Sequence, residues 1–223
     1  MRWSKAATWA GVMGLVALLS TLAGCATGRP ATPELVEEKN PHVEDTTIAR
    51  LQGGRTGFVI TESPDQSATW RGDFEQAVAM LQDQNDAQAI TLLEEVVRQS
   101  PGVTAPYINL AMAYRHKEQF EKSEEQLQKA LSLVPEHPVA NNEYGLLLRQ
   151  TGRFGKAREV YETTLQSFPE YLPVRRNLGI LCELYLNDQA CALEQYRIYS
   201  DAKPEDKDVQ LWIAGLKLRL GQN

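Results

Sequence analysis

Thr104–His137 reads TAPYINLAMAYRHKEQFEKSEEQLQKALSLVPEH, and its Pro135 stands 34 residues after Pro101. Pro169 and Pro204 continue the series at intervals of 34 and 35 residues. A helix-ending residue at that period means copies of one small unit rather than one irregular core. With the proline as position 32 of a 34-residue unit, the units are Trp70–Val103, Thr104–His137, Pro138–Tyr171 and, with one inserted residue, Leu172–Asp206.

The aligned units share a pattern of residue size. Position 8 holds Ala77, Ala111, Gly145 and Gly179, and position 20 holds Ala89, Ser123, Ala157 and Ala192. Position 11 holds Met80, Tyr114, Leu148 and Cys182, and position 24 holds Leu93, Leu127, Tyr161 and Tyr196. Small residues at 8 and 20 let two antiparallel helices approach, and larger ones at 11 and 24 fill the remaining space. Asp86 breaks the aromatic preference that Phe120 and Phe154 keep at position 17, and only the third unit has a turn glycine, Gly152.

These units resemble tetratricopeptide repeats. The resemblance implies an all-α fold: an α-solenoid of about four helix hairpins over residues 70–206, closed by a C-terminal capping helix within 207–223. In the last segment Val209, Trp212, Leu216 and Leu220 share one helical face, which suits a helix covering the apolar end of the array.

The N-terminus carries a different message. Arg2 and Lys5 precede an apolar run, Ala6 to Leu22, and then Leu22-Ala23-Gly24-Cys25. A basic start, an apolar middle and small residues before a cut form a secretory signal over residues 1–24. The cysteine makes it resemble the lipobox of bacterial lipoproteins. That resemblance implies a diacylglycerol on the Cys25 sulfur, cleavage before it and acylation of the new amine, an anchor of several acyl chains. The alternative is an uncleaved membrane helix. Ala26 and Thr27 follow, with no Asp, which by resemblance points to the periplasmic face of the outer membrane.

Residues 25–69 read as the lipidated cysteine and a flexible linker, with Pro30, Pro33, Pro41 and Pro64, a Gly53-Gly54 pair and several acids. One apolar island, Gly57-Phe58-Val59-Ile60-Thr61, is read as padding for the first helix. A strand-like segment that docks on a partner or in the domain's own groove is its alternative.

The formal net charge is −6; once Arg2 and Lys5 are removed, 21 basic residues face 29 acidic ones. So acidic a body argues against general nucleic-acid binding. Enzyme chemistry and bound cofactors find no support either. His42, His116 and His137 belong to no metal or nucleophile motif, and no Gly-rich phosphate loop is present. His137 is expected to be solvated between units, and His116 to be exposed near the groove. Cys182 and Cys191 lie at similar distances either side of the turn near Leu186-Asn187, so a disulfide is expected in an exported chain, with a reduced buried pair as the alternative. No metal site is expected there, because no histidine is near.

By resemblance, the first helix of each unit lines the concave face. The expected partner-binding residues are Asn109, Met112 and Arg115; Asn142, Leu146 and Arg149; and Arg175, Arg176, Asn177 and Ile180. Arginine forks and Asn amides suit peptide carboxylates and backbone, while Met and Ile give adaptable apolar contact. The lysine with which some family members clamp a C-terminal carboxylate is replaced by Ile108, Asn142 and Arg176. The expectation is a scaffold that holds a peptide or helix of another envelope protein, in pilus or secretin assembly or as a peptidoglycan-hydrolase adaptor. Binding of an anionic small ligand or glycan is the reading from another class, and a homo-oligomer is a further possibility.

Overall fold

The computed structural model describes residues 36–39, 46–51, 57–62 and 70–221. From Trp70 onward the chain forms α1 (Trp70–Gln82), α2 (Asp86–Gln99), α3 (Thr104–His116), α4 (Phe120–Leu133), α5 (Pro138–Gln150), α6 (Phe154–Ser167), α7 (Leu172–Leu184), α8 (Gln189–Ala202) and α9 (Lys207–Arg219). Each odd-numbered helix begins on the first residue of a proline-defined unit or, for α9, just after the fourth. Consecutive helices pack as antiparallel hairpins. The odd helices also approach one another from α1 to α7, whereas the even ones do not. The odd helices therefore form the inner wall of the solenoid and the even ones its outer wall.

The size pattern works as packing. Every residue at positions 8 and 20 is buried, and so are Leu93, Leu127, Tyr161 and Tyr196 at position 24. Two solutions occupy the same spot. The first two units pair Ala with Leu, while the last two pair Gly with Tyr. A Cβ on Gly145 would stand 2.2 Å from Tyr161 Cε1, and one on Gly179 would stand 2.4 Å from Tyr196 Cε1.

All four hairpin turns carry a residue in the left-handed region: Gln84 (φ 61°), Glu118 (φ 58°), Gly152 (φ 75°) and Asn187 (φ 53°). Only the third unit meets that need with glycine, and elsewhere a Cβ is strained. Glu118→Gly is therefore expected to raise stability by about 0.5–1 kcal/mol, the relief of strain exceeding the extra unfolded-chain entropy. Urea denaturation measures it, and an unchanged or lower midpoint contradicts it.

The prolines that mark the repeat leave carbonyls in the break between units. A position-4 side chain of the next unit donates to each one. Tyr107 Oη reaches Pro101 O at 3.3 Å, Asn141 Nδ2 reaches Pro135 O at 2.9 Å, Arg175 Nε reaches Pro169 O at 2.8 Å, and Gln210 Nε2 reaches Pro204 O at 2.7 Å. Four different donors perform one task at one register. His137 caps α5 in the same region: its Nδ1 accepts from Ala140 N at 3.3 Å, and the residue is 5% exposed. It is buried rather than solvated as expected, with its ring nitrogen committed to the start of α5.

The linker expectation is corrected in part. Residues 36–39, 46–50 and 58–62 form strands β1 (Val36–Lys39), β2 (Thr46–Arg50) and β3 (Phe58–Glu62) in one antiparallel sheet, ordered β1-β2-β3 with Ile48 opposite Ile60. The sheet docks on the edge of the array that carries the unit-to-unit turns. Ile48, Phe58 and Ile60 cluster with Val134, Phe168 and Tyr171, and the Phe58 ring lies 5.3 Å from that of Phe168. Glu62 Oε1 accepts from Thr104 N at 2.8 Å, capping α3 across the chain. The apolar island thus braces the seams of the array rather than padding the first helix.

At the far end Val209 and Leu216 of α9 are buried, with Trp212 and Ile213 packed on the last hairpin. Leu220, expected on that face, is the exposed C-cap, since the helix stops one residue earlier. Among the described residues no helix is long and apolar enough to cross a membrane. The signal segment 1–24 and Cys25 lie outside the described residues.

Candidate functional site

Met112, Leu146 and Ile180 all occupy position 9, one on each of α3, α5 and α7, and each is half-buried. They mark the line of the inner wall. Around them the polar residues divide into those already paired and those left over.

The paired ones cross from unit to unit. Arg115 Nη2 donates to Glu143 Oε2 at 3.0 Å, with both side chains nearly buried. Asn142 Nδ2 donates to Glu143 Oε1 at 3.2 Å, and Asn177 Nδ2 donates to Asn142 Oδ1 at 2.9 Å. One continuous chain of polar contacts therefore ties α3, α5 and α7 together. Removing a single member would strand its neighbours away from water. Asn109 turns to its own helix and donates to Ala105 O at 2.9 Å. These amides and Arg115 set the spacing of the wall and are committed within it. His116, expected to be exposed, pairs through Nδ1 with Asp86 Oδ1 at 2.9 Å, joining the first two units.

Arg175 does not join the other arginines. It sits one residue before Arg176, about 100° around the helix. It therefore points to the outer side, where its Nη1 donates to Gln195 Oε1 at 2.9 Å while its Nε holds the Pro169 carbonyl. There it lines a shallow recess of about 240 Å³ with Arg158 and Glu194. Its expected place in the groove is corrected accordingly.

Arg149 and Arg176 remain. Both are half-buried on the inner wall, and neither forms an ion pair among the described residues. Each guanidinium instead lies over a ring: Arg149 over Tyr185 at 5.8 Å, and Arg176 over Trp212 at 5.0 Å. Sequence reasoning missed both rings. The sequence places Trp212 on the cap's apolar face and gives no sign of a role for Tyr185, and only the fold sets them beside the arginines. Buried Arg115 Nε, Arg149 Nε and Tyr161 Oη have no hydrogen-bond partner. Burial pushes the Tyr161 phenol well above its usual range, so it stays neutral among Arg149, Glu143 and Arg115. Glu183 is engaged on both oxygens, by Tyr196 Oη at 3.1 Å and by Arg219.

The outer wall has its own inter-unit ties. Arg153 grips Glu124 with two N–H groups at 2.7 and 2.9 Å, and these bonds hold the Glu124 carboxyl below its ordinary range. Cys182 and Cys191 are joined as a disulfide between α7 and α8, with Cα atoms 6.0 Å apart. The bond spans Tyr185–Asp188, a turn one residue longer than the other three. Asp188 lies close to both sulfurs but spends its Oδ1 on Cys191 N at 3.0 Å, so the oxidised trio offers no free ligand set. Reduction is expected to cost roughly 2 kcal/mol, as for a short closed loop. A thermal melt with and without reductant checks it, and equal midpoints would contradict it.

Comparison with known proteins agrees with this geometry. The tetratricopeptide repeat family matches residues 71–102 and 102–170. No curated protein matches the chain. Among solved structures, Pseudomonas aeruginosa PilF is 22% identical, with 67% of this chain and 68% of that one covered at a TM-score of 0.62. PilW, described as a widely conserved type IV pilus biogenesis factor, is 20% identical over 70% of this chain and 71% of its own, with a TM-score of 0.62. TTC0263, a thermophilic repeat protein of Thermus thermophilus, is 21% identical over 69% of this chain and 84% of its own, at 0.60. At such identities the likeness establishes a shared fold, that of a tetratricopeptide solenoid.

Proposed function

We propose, from the premise that residues 70–206 form a tetratricopeptide array, that the chain is a non-enzymatic scaffold. It holds a helix or peptide of another envelope protein against its inner wall. Acyl chains on Cys25 tether it to the periplasmic face of the outer membrane. The observation that carries this reading is the half-buried stripe Met112, Leu146 and Ile180, repeated at one register on three adjacent inner helices. Apolar groups spaced in that way suit a partner segment running along the wall. The folds of PilF and the pilus biogenesis factor PilW make pilus or secretin assembly the favoured setting. A peptidoglycan-hydrolase adaptor would use the same wall.

Photo-crosslinking in cells tests the scaffold. A photoreactive residue at Met112 or Leu146 is expected to capture the same envelope protein, and one at exposed Glu159 of the outer wall to capture none. Capture from Glu159 alone would overturn the reading. Cys25→Ser is expected to abolish fatty-acid labelling and release the chain from the outer-membrane fraction. Unchanged labelling would refute the anchor. An anionic-ligand binder would instead show a thermal shift with the small anion and no captured protein.

A further inference from the structure

We infer that α9 is a self-association surface, on which a second copy of this chain docks with its own α9 running antiparallel. The inference goes beyond the scaffold reading and does not depend on it. α9 buries Val209 and Leu216 on one face, and its backbone approaches α8 alone among the described elements. The opposite face carries Leu211, Ala214, Gly215 and Leu218, which fall within about 100° of one another at helical spacing. Leu218 is 77% exposed and Leu211 69%, the highest values among the large apolar side chains of the described residues. Ala214 is exposed between them, and a Cβ placed on Gly215 would meet nothing within 4 Å. Another helix can therefore approach closely at the middle of the stripe, with a leucine to cover it on either side.

Register and symmetry select the occupant. Lys217 stands at position 11, where the four hairpins carry Met80, Tyr114, Leu148 and Cys182. A charge there opposes a helix folding back on α9 as in a repeat hairpin, so the stripe is not the unfilled half of a further unit. By residue size, Leu-x-x-Ala-Gly-x-x-Leu reads the same in both directions. A two-fold axis at Ala214 and Gly215 thus sets each Leu211 beside the other copy's Leu218, the self-complementarity that an isologous interface needs. Asp208 and Arg219 flank the stripe on one side, about 60° and 80° round from Leu211. The same axis brings each Asp208 to nearly the height of the other copy's Arg219, whereas parallel packing would set like charges together. Asp208 has no ion pair among the described residues, and Arg219 commits Nη2 to Glu183 with further N–H groups to offer. One helix from each copy buries less than about 1,200 Å² in all, which places the pair among weak, transient interfaces.

Cysteine cross-linking of the full chain in membranes, with the unsubstituted chain as background, tests the pairing. Under a mild oxidant Gly215→Cys is expected to link to itself. Leu211→Cys and Leu218→Cys should link strongly only when the two variants are produced together. Sedimentation of the full chain in detergent is expected to show a monomer–dimer equilibrium whose Kd rises at least tenfold in Leu211→Gln/Leu218→Gln. Both leucines are exposed, so the thermal midpoint of that variant at low concentration should be unchanged, which separates lost pairing from lost fold. A monomer at every concentration, a dimer that the double variant leaves intact, or Leu218→Cys linking to itself as strongly as to Leu211→Cys would overturn the inference. Linking of Gly215→Cys to a different protein would assign the stripe to that partner, also overturning it. Capture from Met112 or Leu146 on the inner wall is read separately, so the scaffold reading stands or falls on its own.

Discussion

Gly145→Ala is expected to destabilise the chain by about 3 kcal/mol, despite replacing a helical glycine with the best helix former. The added methyl would meet the Tyr161 ring at 2.2 Å, and that ring is fully buried with no room to retreat. Tyr161→Leu alone is expected to cost about 2 kcal/mol by opening a cavity. Together the two changes recreate the Ala–Leu pair that the first two units already use at this register. The double variant should therefore be more stable than Gly145→Ala alone, and because Tyr161 Oη has no partner, no hydrogen bond is lost in the exchange. Thermal or urea melts of all four proteins make the cycle. Additive losses would show that the Gly–Tyr and Ala–Leu pairs are not alternative fillings of one site.

Acid is expected to weaken the fold through His137. Burial pushes its imidazole down from 6.5 to about 4, and its Nδ1 must stay unprotonated to cap α5. The unfolded chain takes up the proton first. Stability is therefore fully present above about pH 6.5, falls as pH drops, and has lost on the order of 3 kcal/mol near pH 4. His137→Asn keeps a side-chain acceptor at the cap but has nothing to titrate. Its stability should be nearly flat across that window. Glu124, held low by Arg153, adds its own loss further into acid in both proteins, so their difference isolates the histidine. Parallel pH profiles for the two would contradict the assignment.

The helical array was legible because its signals are local and repeated. Pro101, Pro135, Pro169 and Pro204 end units, and Ala or Gly at position 8 and small residues at position 20 set how closely each hairpin closes. What escaped depends on contacts between distant parts of the chain. The sheet owes its place to Phe58, Ile48 and Ile60 meeting Phe168 and Tyr171, more than 100 residues away from them. Nothing in a five-residue strand announces such a surface. His137 reads as a loop residue, and its burial shows only in the folded chain. Arg175 and Arg176 are adjacent in sequence, yet a proline carbonyl claims one and a tryptophan ring from α9 claims the other. Of the expected partner-binding residues, Met112, Leu146 and Ile180 share the inner wall with Arg149 and Arg176, Asn109 folds back on its own helix, and Asn142, Asn177 and Arg115 tie the units together.

The central claim is that the inner wall of odd-numbered helices is the working surface. Hydrogen–deuterium exchange on the full chain, alone and bound to the protein it captures, tests it most directly. Slowed exchange is expected on α3, α5 and α7 and at the α9 end, with α2, α4 and α6 unchanged. Protection confined to the even-numbered helices, or to the β1–β3 sheet, would contradict it.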